Sequence, residues 1–130
     1  MLLLNRIQTP DGTILTSRHT HDYVSYQDAN GHYYAVDGGL SYQRIVGPSD
    51  YIDMSVTTAD DFMLIRNLYE WGTYGPNGDQ PLKYVKLCDL SDDHIENILS
   101  TLKFSDDIRN IFRQEQAYRK QLTTQGESNG

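Results

Sequence analysis

Two histidines in the first half of the chain are spaced as metal ligands often are. His19 and His21 alternate within Arg-His-Thr-His-Asp, so an extended backbone would place both imidazoles on one face. Asp37 could add an oxygen ligand, and such a set suits a divalent cation in a hydrolase. Metal hydrolases hold their ions with more ligands, however, and neither His32 nor His94 is spaced to complete the set. A metal-dependent hydrolase is therefore one hypothesis, beside the simpler interpretation that these are turn residues.

A segment rich in glycine and proline, residues 72–81, could present backbone N–H groups to an anion. Tyr74 lies within this segment, and Lys83 and Lys86 follow it closely. These residues predict a binding site for a small ligand, for example a nucleotide signal. The segment lacks the Gly-Lys-Ser/Thr ending of a nucleotide P-loop, so the pattern names no particular ligand.

The single cysteine, Cys88, excludes an intramolecular disulfide and a zinc site built from cysteines. A catalytic thiol needs cationic neighbours and a paired histidine, whereas the adjacent Asp89 would raise the pKa of this thiol. The sequence also lacks a Ser-His-Asp order, a glycosidase carboxylate pair and a dinucleotide fingerprint. We therefore expect a chain without catalytic residues or a cofactor, folded in a reducing compartment.

Tyrosine dominates the aromatic residues, with ten Tyr against three Phe. A tyrosine ring supplies apolar contact area and a polar tip, which suits protein interfaces. We predict that Tyr26, Tyr33 and Tyr74 contact a partner. The 11 Lys and Arg against 18 Asp and Glu give a net charge of −7. Binding to nucleic acid needs clustered cations, so this charge favours a basic protein partner over direct contact with nucleic acid.

The elements that must position these residues change character along the chain. Residues 1–56 predict a β-rich part, in which Pro10–Gly12 and Asn30–Gly31 are turn sequences between β-prone runs and so predict two hairpins. The pair of glycines in Asp37–Gly39 predicts a turn, because Gly tolerates positive φ. A further strand is predicted over residues 40–46.

Residues 57–122 predict three helices. Thr58 is the predicted N-cap of the first, which we expect to run to about Trp71, and residues 72–81 should then be irregular. Ser91 and Ser105, each followed by two aspartates, should cap the other two helices. The predicted buried faces are Ile95, Ile98, Leu99 and Leu102 in the second helix and Ile108, Ile111, Phe112, Tyr118 and Leu122 in the third. Arg109, Arg113, Arg119 and Lys120 should form a positive face that is solvated or, alternatively, contacts a partner.

These elements predict the α+β fold class, with an N-terminal antiparallel sheet packed against about three C-terminal helices. A single domain over residues 1–122 is expected, followed by a disordered tail over 123–130 that has no apolar anchor. Only three apolar residues follow Met1 before the first polar one, too few for an export signal or a membrane span. A sheet with exposed tyrosines could also form a homodimer along an edge strand.

Over roughly residues 6–98 the chain resembles small proteins of tailed bacteriophages and prophages. The motifs that carry this resemblance are Trp71–Leu87, Leu90–Ile95, Gly12, His21–Val24 and Val36–Tyr42. In relatives of the N-terminal β module, cysteine pairs suggest a zinc ribbon, whereas Gln8, Asp11, Tyr26 and Asp28 occupy that neighbourhood here and remove those ligands. The resemblance implies a phage accessory protein in the cytoplasm of the infected bacterial host, and it implies no catalytic residues.

The leading functional hypothesis is thus a non-catalytic protein that binds and modulates a host macromolecule during infection, in host takeover or against host defence. Its contact surface would be rich in tyrosine and acidic. The small-ligand site at the glycine-rich segment is the alternative hypothesis, and the metal-dependent hydrolase is a second alternative.

Overall fold

The computed structural model describes residues 1–75, 77–101 and 105–128, with side chains in the last helix described as far as Thr123. Its antiparallel sheets come from the N-terminal strands and its described helices are mostly C-terminal, which confirms the α+β fold class. The chain divides into two compact units, unit 1 (Met1–Asp60) and unit 2 (Asp61–Gly130). A single domain over residues 1–122, with the sheet packed on the helices, stays a prediction.

Unit 1 is built from antiparallel strands, as the turn sequences predicted. Its strands are β1 (Leu2–Gln8), β2 (Ile14–Ser17), β3 (Val24–Gln27), β4 (Tyr33–Asp37), β5 (Arg44–Val46), β6 (Ile52–Asp53) and β7 (Val56–Thr57). Both predicted hairpins are confirmed: β1 pairs with β2 across the turn at Gly12, and β3 pairs with β4 across the turn at Gly31. These two glycines have φ of 90° and 83°, a conformation that favours glycine.

Strand β1 is the centre of its sheet, with β2 on one side and both β6 and β7 on the other. The second sheet has the order β3-β4-β5. Strands β6 and β7 were not predicted from the sequence, because two residues are too few to show an alternating pattern. The strand predicted over residues 40–46 is shorter than expected, since pairing begins only at Arg44.

Apolar side chains from both sheets form one core in unit 1. The buried members are Ile7, Leu15, Tyr34 and Val36, with Val24, Tyr26, Ile45 and Tyr51 packed around them. Tyr34 is fully buried, and its hydroxyl donates a hydrogen bond of 2.7 Å to Asp50. Burial of these apolar side chains stabilises the packing of the two small sheets.

The predicted turn at Asp37–Gly39 is confirmed, and it depends on glycine. Gly38 and Gly39 have φ of 105° and 54°. A Cβ on Gly39 would lie 2.3 Å from the carbonyl carbon of His19, so no side chain fits there. The Ser17 hydroxyl accepts a 2.8 Å hydrogen bond from the Gly39 N–H, and the Asn5 amide donates one of 3.0 Å to the Gly39 carbonyl.

Unit 2 places a short helix and a β-hairpin before two longer helices. Its elements are α1 (Phe62–Leu68), β8 (Glu70–Thr73), β9 (Lys83–Lys86), a 3₁₀-helix (Leu87–Asp89), α2 (Asp92–Thr101) and α3 (Asp106–Ser128). None of the helices in the described part of the chain is long and apolar enough to cross a membrane.

Two predictions about the first helix were wrong. Its N-cap is Asp61 and not Thr58, whose N–H instead donates to the Met1 carbonyl within unit 1. The helix ends at Leu68, because Tyr69 has an extended backbone and the chain then enters β8. Strand pairing between β8 and β9 has overridden the helical periodicity that reaches Trp71 in the sequence.

The glycine-rich segment is partly regular, which corrects the prediction for its first two residues. Gly72 and Thr73 belong to β8, opposite Tyr84 and Lys83 of β9. Strand β9 then follows over Lys83–Lys86. The described residues between the two strands form the hairpin loop, and Pro76 lies outside the described residues.

The serine caps of α2 and α3 are confirmed. Ser91 accepts a hydrogen bond of 3.1 Å from the His94 N–H, and Ser105 accepts one of 3.4 Å from the Ile108 N–H. The predicted faces are buried at Ile95, Ile98, Ile108, Ile111 and Phe112, while Leu99 and Tyr118 are half-buried. Leu122, however, is exposed. Leu102 lies outside the described residues, and α3 extends over most of the segment predicted as a disordered tail.

A fully buried carboxylate, Glu115, organises the interior of unit 2. Arg66 of α1 binds both of its oxygens, at 2.7 and 2.9 Å, and Arg119 binds one of them at 2.7 Å. Arg119 also donates to Asp92 and to the Leu87 carbonyl. The hydrogen bonds to Glu115 raise the pKa of the Arg66 guanidinium. The predicted solvated face is therefore wrong at Arg119, whose hydrogen bonds join α2 and the 3₁₀-helix to α3.

Candidate functional site

A cavity of about 910 Å³ opens in unit 2 between the β8–β9 hairpin and α2. Its volume lies within the range of about 300–1,000 Å³ that is usual for small-ligand sites. The lining residues from the hairpin are Trp71, Gly72, Thr73, Tyr74, Gly75, Gly78, Lys83 and Val85, and those from α2 and its cap are Ser91, Asp93, His94, Asn97, Ile98 and Thr101. We refer to this space as the hairpin cavity.

Glycine backbone geometry shapes the loop beside the hairpin cavity. Gly75 and Gly78 have φ of 88° and 72°, which is the conformation that side chains disfavour. A Cβ on Gly75 would lie 2.5 Å from Cγ of Gln80, so the loop closes tightly there. The Gln80 N–H donates a hydrogen bond of 2.7 Å to the Tyr74 carbonyl. The loop thus holds Tyr74 at the rim by backbone contacts.

Two aromatic rings face the hairpin cavity from β8 and its end. Trp71 packs edge-on against the buried Phe112, with ring centroids 5.1 Å apart and planes at 88°. This contact fixes the indole against the core of unit 2. Tyr74 is 55% exposed. The buried Ile98 and the half-buried Val85 add apolar surface between them, so the cavity has one fixed and one accessible aromatic wall.

Polar groups of both charges line the same cavity. Lys83 contributes an ammonium group that forms no ion pair with any residue the structure describes. Asp93, His94 and Asn97 contribute a carboxylate, an imidazole and an amide from α2. Lys86, also predicted as a ligand contact, is not among the lining residues. Because successive side chains alternate along β9, Lys83 and Lys86 belong to opposite faces of the hairpin.

A second candidate surface, which we call the tyrosine face, lies on unit 1. Tyr23, Tyr33 and Tyr42 are each 42–44% exposed. The hydroxyls of Tyr23 and Tyr33 share a hydrogen bond of 2.8 Å, which lowers the pKa of Tyr33 and raises that of Tyr23. The Arg44 guanidinium lies 6.0 Å from the centre of the Tyr23 ring, within cation–π range.

Asp37 connects Tyr42 to the rest of the tyrosine face. Its carboxylate accepts a hydrogen bond of 3.3 Å from the Tyr42 hydroxyl and lies 3.8 Å from Arg44. The same carboxylate accepts a bond from the Gly38 N–H. These contacts hold the exposed rings in defined positions before any partner arrives.

The three predicted tyrosine contacts have different environments. Tyr33 belongs to the tyrosine face, whereas Tyr26 packs against the core of unit 1 and its hydroxyl donates a hydrogen bond of 2.6 Å to Asp11. Hydrogen bonds from Thr9, which has the larger effect, and from Tyr26 lower the pKa of Asp11. Tyr74 lines the hairpin cavity of unit 2. Sequence reasoning missed Tyr23 and Tyr42, although strand alternation places Tyr23 on the face opposite Val24.

The structure does not assemble the predicted metal ligands. Among the described residues no group of three or more His, Cys, Asp and Glu side chains is placed to hold a metal ion. His19 and His21 are exposed, and the Asp37 carboxylate is engaged by Tyr42 and Gly38. His19 instead packs its backbone against Gly39, as a turn residue would.

Cys88 has no features of an activated nucleophile. The thiol is half-buried, and burial together with the neighbouring Asp89 raises its pKa. A raised pKa reduces the thiolate fraction, which is the reactive form. The thiol lies 3.7 Å from an Asp89 carboxylate oxygen.

No family model, curated protein or solved structure matches this chain. The hairpin cavity and the tyrosine face are accordingly defined by their own geometry.

Proposed function

We propose that this chain is a non-catalytic binding protein of a bacteriophage that modulates a host macromolecule in the infected bacterial cytoplasm. The observation that carries the proposal is the tyrosine face, where three exposed rings and a guanidinium are held together by hydrogen bonds and a cation–π contact. Tyr and Arg are the side chains most enriched at the energetic centres of interfaces. The resemblance of residues 6–98 to phage proteins supports the biological setting.

The charge of unit 1 indicates the kind of partner. Three arginines and seven aspartates give residues 1–60 a net charge of −4. An acidic surface around preorganised aromatic residues suits a basic region on a host protein, because complementary potentials speed association and select the partner. Preorganisation also reduces the side-chain entropy that is lost on binding.

The proposal is tested by affinity capture from bacterial lysate followed by quantitative mass spectrometry. A Tyr23→Ala/Tyr33→Ala variant should lose the captured partner, since it removes two of the three exposed rings. The matched control is Ile52→Ala, which removes an exposed apolar side chain elsewhere in unit 1. Circular dichroism of the variants verifies the fold. Equal recovery of the same host protein by all three chains would show that the tyrosine face is not the contact surface.

A further inference from the structure

We propose that the hairpin cavity of unit 2 binds a nucleoside monophosphate. This site is separate in sequence from the tyrosine face, which belongs to unit 1, so either proposal can fail while the other holds. The inference rests on the lining of the cavity: an aromatic platform, one lysine without an ion-pair partner among the described residues, and polar groups that match the edge of a base.

The aromatic platform suits a flat, unsaturated ring. Trp71 is held in place by Phe112, and Tyr74 is exposed at the rim. Nucleobases stack on such side chains, and the interaction tolerates any base because every base has a π-face. An aliphatic ligand would gain apolar contact from the same lining but could not stack on the two rings. The platform therefore favours a heteroaromatic ligand.

The charges in the hairpin cavity limit the anionic part of the ligand. Lys83 supplies an ammonium group with no ion-pair partner among the described residues, and a phosphate would compensate it. Asp93 adds a carboxylate to the same lining, which would repel additional phosphates. A lining with one lysine and one aspartate thus suits a monophosphate better than a di- or triphosphate.

Hydrogen-bonding groups on α2 could bind the polar edge of the base. Asn97 offers both a donor and an acceptor, and Asp93 accepts from exocyclic amines. This combination can read the polar edge of a base while its face contacts Trp71.

The single tryptophan of the chain is also the reporter for the test. The fluorescence of Trp71 is titrated with AMP, GMP, CMP and UMP, using excitation at the red edge of indole absorption to avoid the nucleotides. At least one nucleotide should quench Trp71 saturably with a Kd in the millimolar range or tighter. The absence of saturable quenching with all four would overturn the proposal.

Variants identify the contacts. Lys83→Gln should weaken nucleotide affinity roughly tenfold, because a charge-assisted hydrogen bond to phosphate is lost. Its matched control is Lys86→Gln, a lysine of the same strand outside the cavity lining, which should leave affinity unchanged. Tyr74→Ala should also weaken binding, and this exposed residue can be replaced without opening the core. Equal effects of Lys83→Gln and Lys86→Gln would refute the placement of the phosphate.

Free nucleosides and inorganic phosphate separate the two parts of the ligand. Nucleosides should bind more weakly than nucleotides to the native chain, and Lys83→Gln should not weaken nucleoside binding further. Inorganic phosphate should compete only weakly, since it lacks the ring. Competition by inorganic phosphate as strong as that by the nucleotide would contradict the aromatic contribution, and the site would then be a simple anion site.

Discussion

Glu115 is a fully buried carboxylate held between the guanidinium groups of Arg66 and Arg119. Burying a charge is costly unless opposite charges and hydrogen bonds compensate it, and here both carboxylate oxygens are compensated. Arg66 additionally lies 4.5 Å from the centre of the Tyr118 ring. At the scale of single residues, unit 2 thus depends on a polar interior that the apolar pattern of its sequence does not show.

Replacing Glu115 should destabilise unit 2 strongly. Glu115→Ala should lower the free energy of unfolding by about 3 kcal/mol, because the half-buried Arg66 would lose its counter-charge and Arg119 would keep only that of Asp92. Urea titration followed by Trp71 fluorescence measures the change. The control Glu96→Ala removes an exposed carboxylate bonded to Gln116 and should cost less than about 1 kcal/mol. Similar losses in the two variants would mean that the buried network contributes little.

Tyr69 should make unit 2 sensitive to alkaline pH. Burial raises the pKa of Tyr69 from 10.0 to about 12. Folding therefore favours the neutral form of Tyr69. The resulting contribution to the free energy of unfolding is fully present below pH 10 and is lost as the pH rises toward 12. At about pH 11 it should have fallen by roughly 1 kcal/mol.

The variant Tyr69→Phe isolates this effect. Its free energy of unfolding should decrease less between neutral pH and about pH 11 than that of the native chain, although both contain the other tyrosines. Urea titrations at the two pH values provide the comparison. Identical pH dependence of the native chain and the variant would show that Tyr69 titrates normally.

At the scale of elements, the turn after β4 shows how backbone conformation and close packing combine. Gly39 adopts a positive φ and also touches the backbone of His19. Gly31 also adopts a positive φ, but a Cβ there would make only an ordinary van der Waals contact, 3.9 Å from the Gln27 side chain. A substitution at Gly31 therefore tests backbone strain alone, whereas a substitution at Gly39 tests backbone strain together with a steric clash.

Gly39→Ala should destabilise unit 1 more than Gly31→Ala does. The Gly31 variant carries only the strain of a left-handed residue, about 1 kcal/mol. The Gly39 variant must in addition displace the His19 backbone and the hydrogen bonds from Asn5 and to Ser17, so its loss should exceed that of Gly31→Ala by at least about 1 kcal/mol. Far-UV circular dichroism during urea titration measures both. A larger loss in Gly31→Ala would contradict the steric argument.

The elements that sequence could predict are those with local causes. Pro-Asp-Gly and Asn-Gly determine their turns over a few residues, and Ser91 and Ser105 cap their helices in the same local way. The end of α1 could not be predicted, because Tyr69 and Trp71 continue its helical spacing and only pairing with β9 makes them extended. The hairpin cavity could not be predicted from the sequence either, because it forms only where the β8–β9 hairpin and α2 come together.

At the scale of the whole molecule, the net charge of −7 acts on partners over a longer distance than any single contact does. Both units are acidic by composition, with −4 on residues 1–60 and −3 on residues 61–130. A field of one sign steers partners of the opposite sign over distances of about a Debye length, roughly 10 Å at 0.1 M salt and 3 Å at 1 M.

Capture of a basic partner should therefore depend on salt. Recovery of the host protein in affinity capture should fall several-fold between low and high ionic strength, because the attraction is screened. Parallel captures at increasing sodium chloride, quantified by mass spectrometry, test this. Recovery that does not change with salt would remove the electrostatic part of the proposed function and leave only the aromatic contacts.

The position of β1 determines when unit 1 can become complete during synthesis. Leu2 pairs with Thr57 and Leu4 with Val56, so the first strand of the chain needs the last strand of the unit as its neighbour. A chain emerging from the ribosome can form the hairpin of β1 and β2 early, but the other side of β1 is not fully paired until residue 57 has left the exit tunnel. Pairings so distant in sequence also slow folding, because the intervening loop must close first.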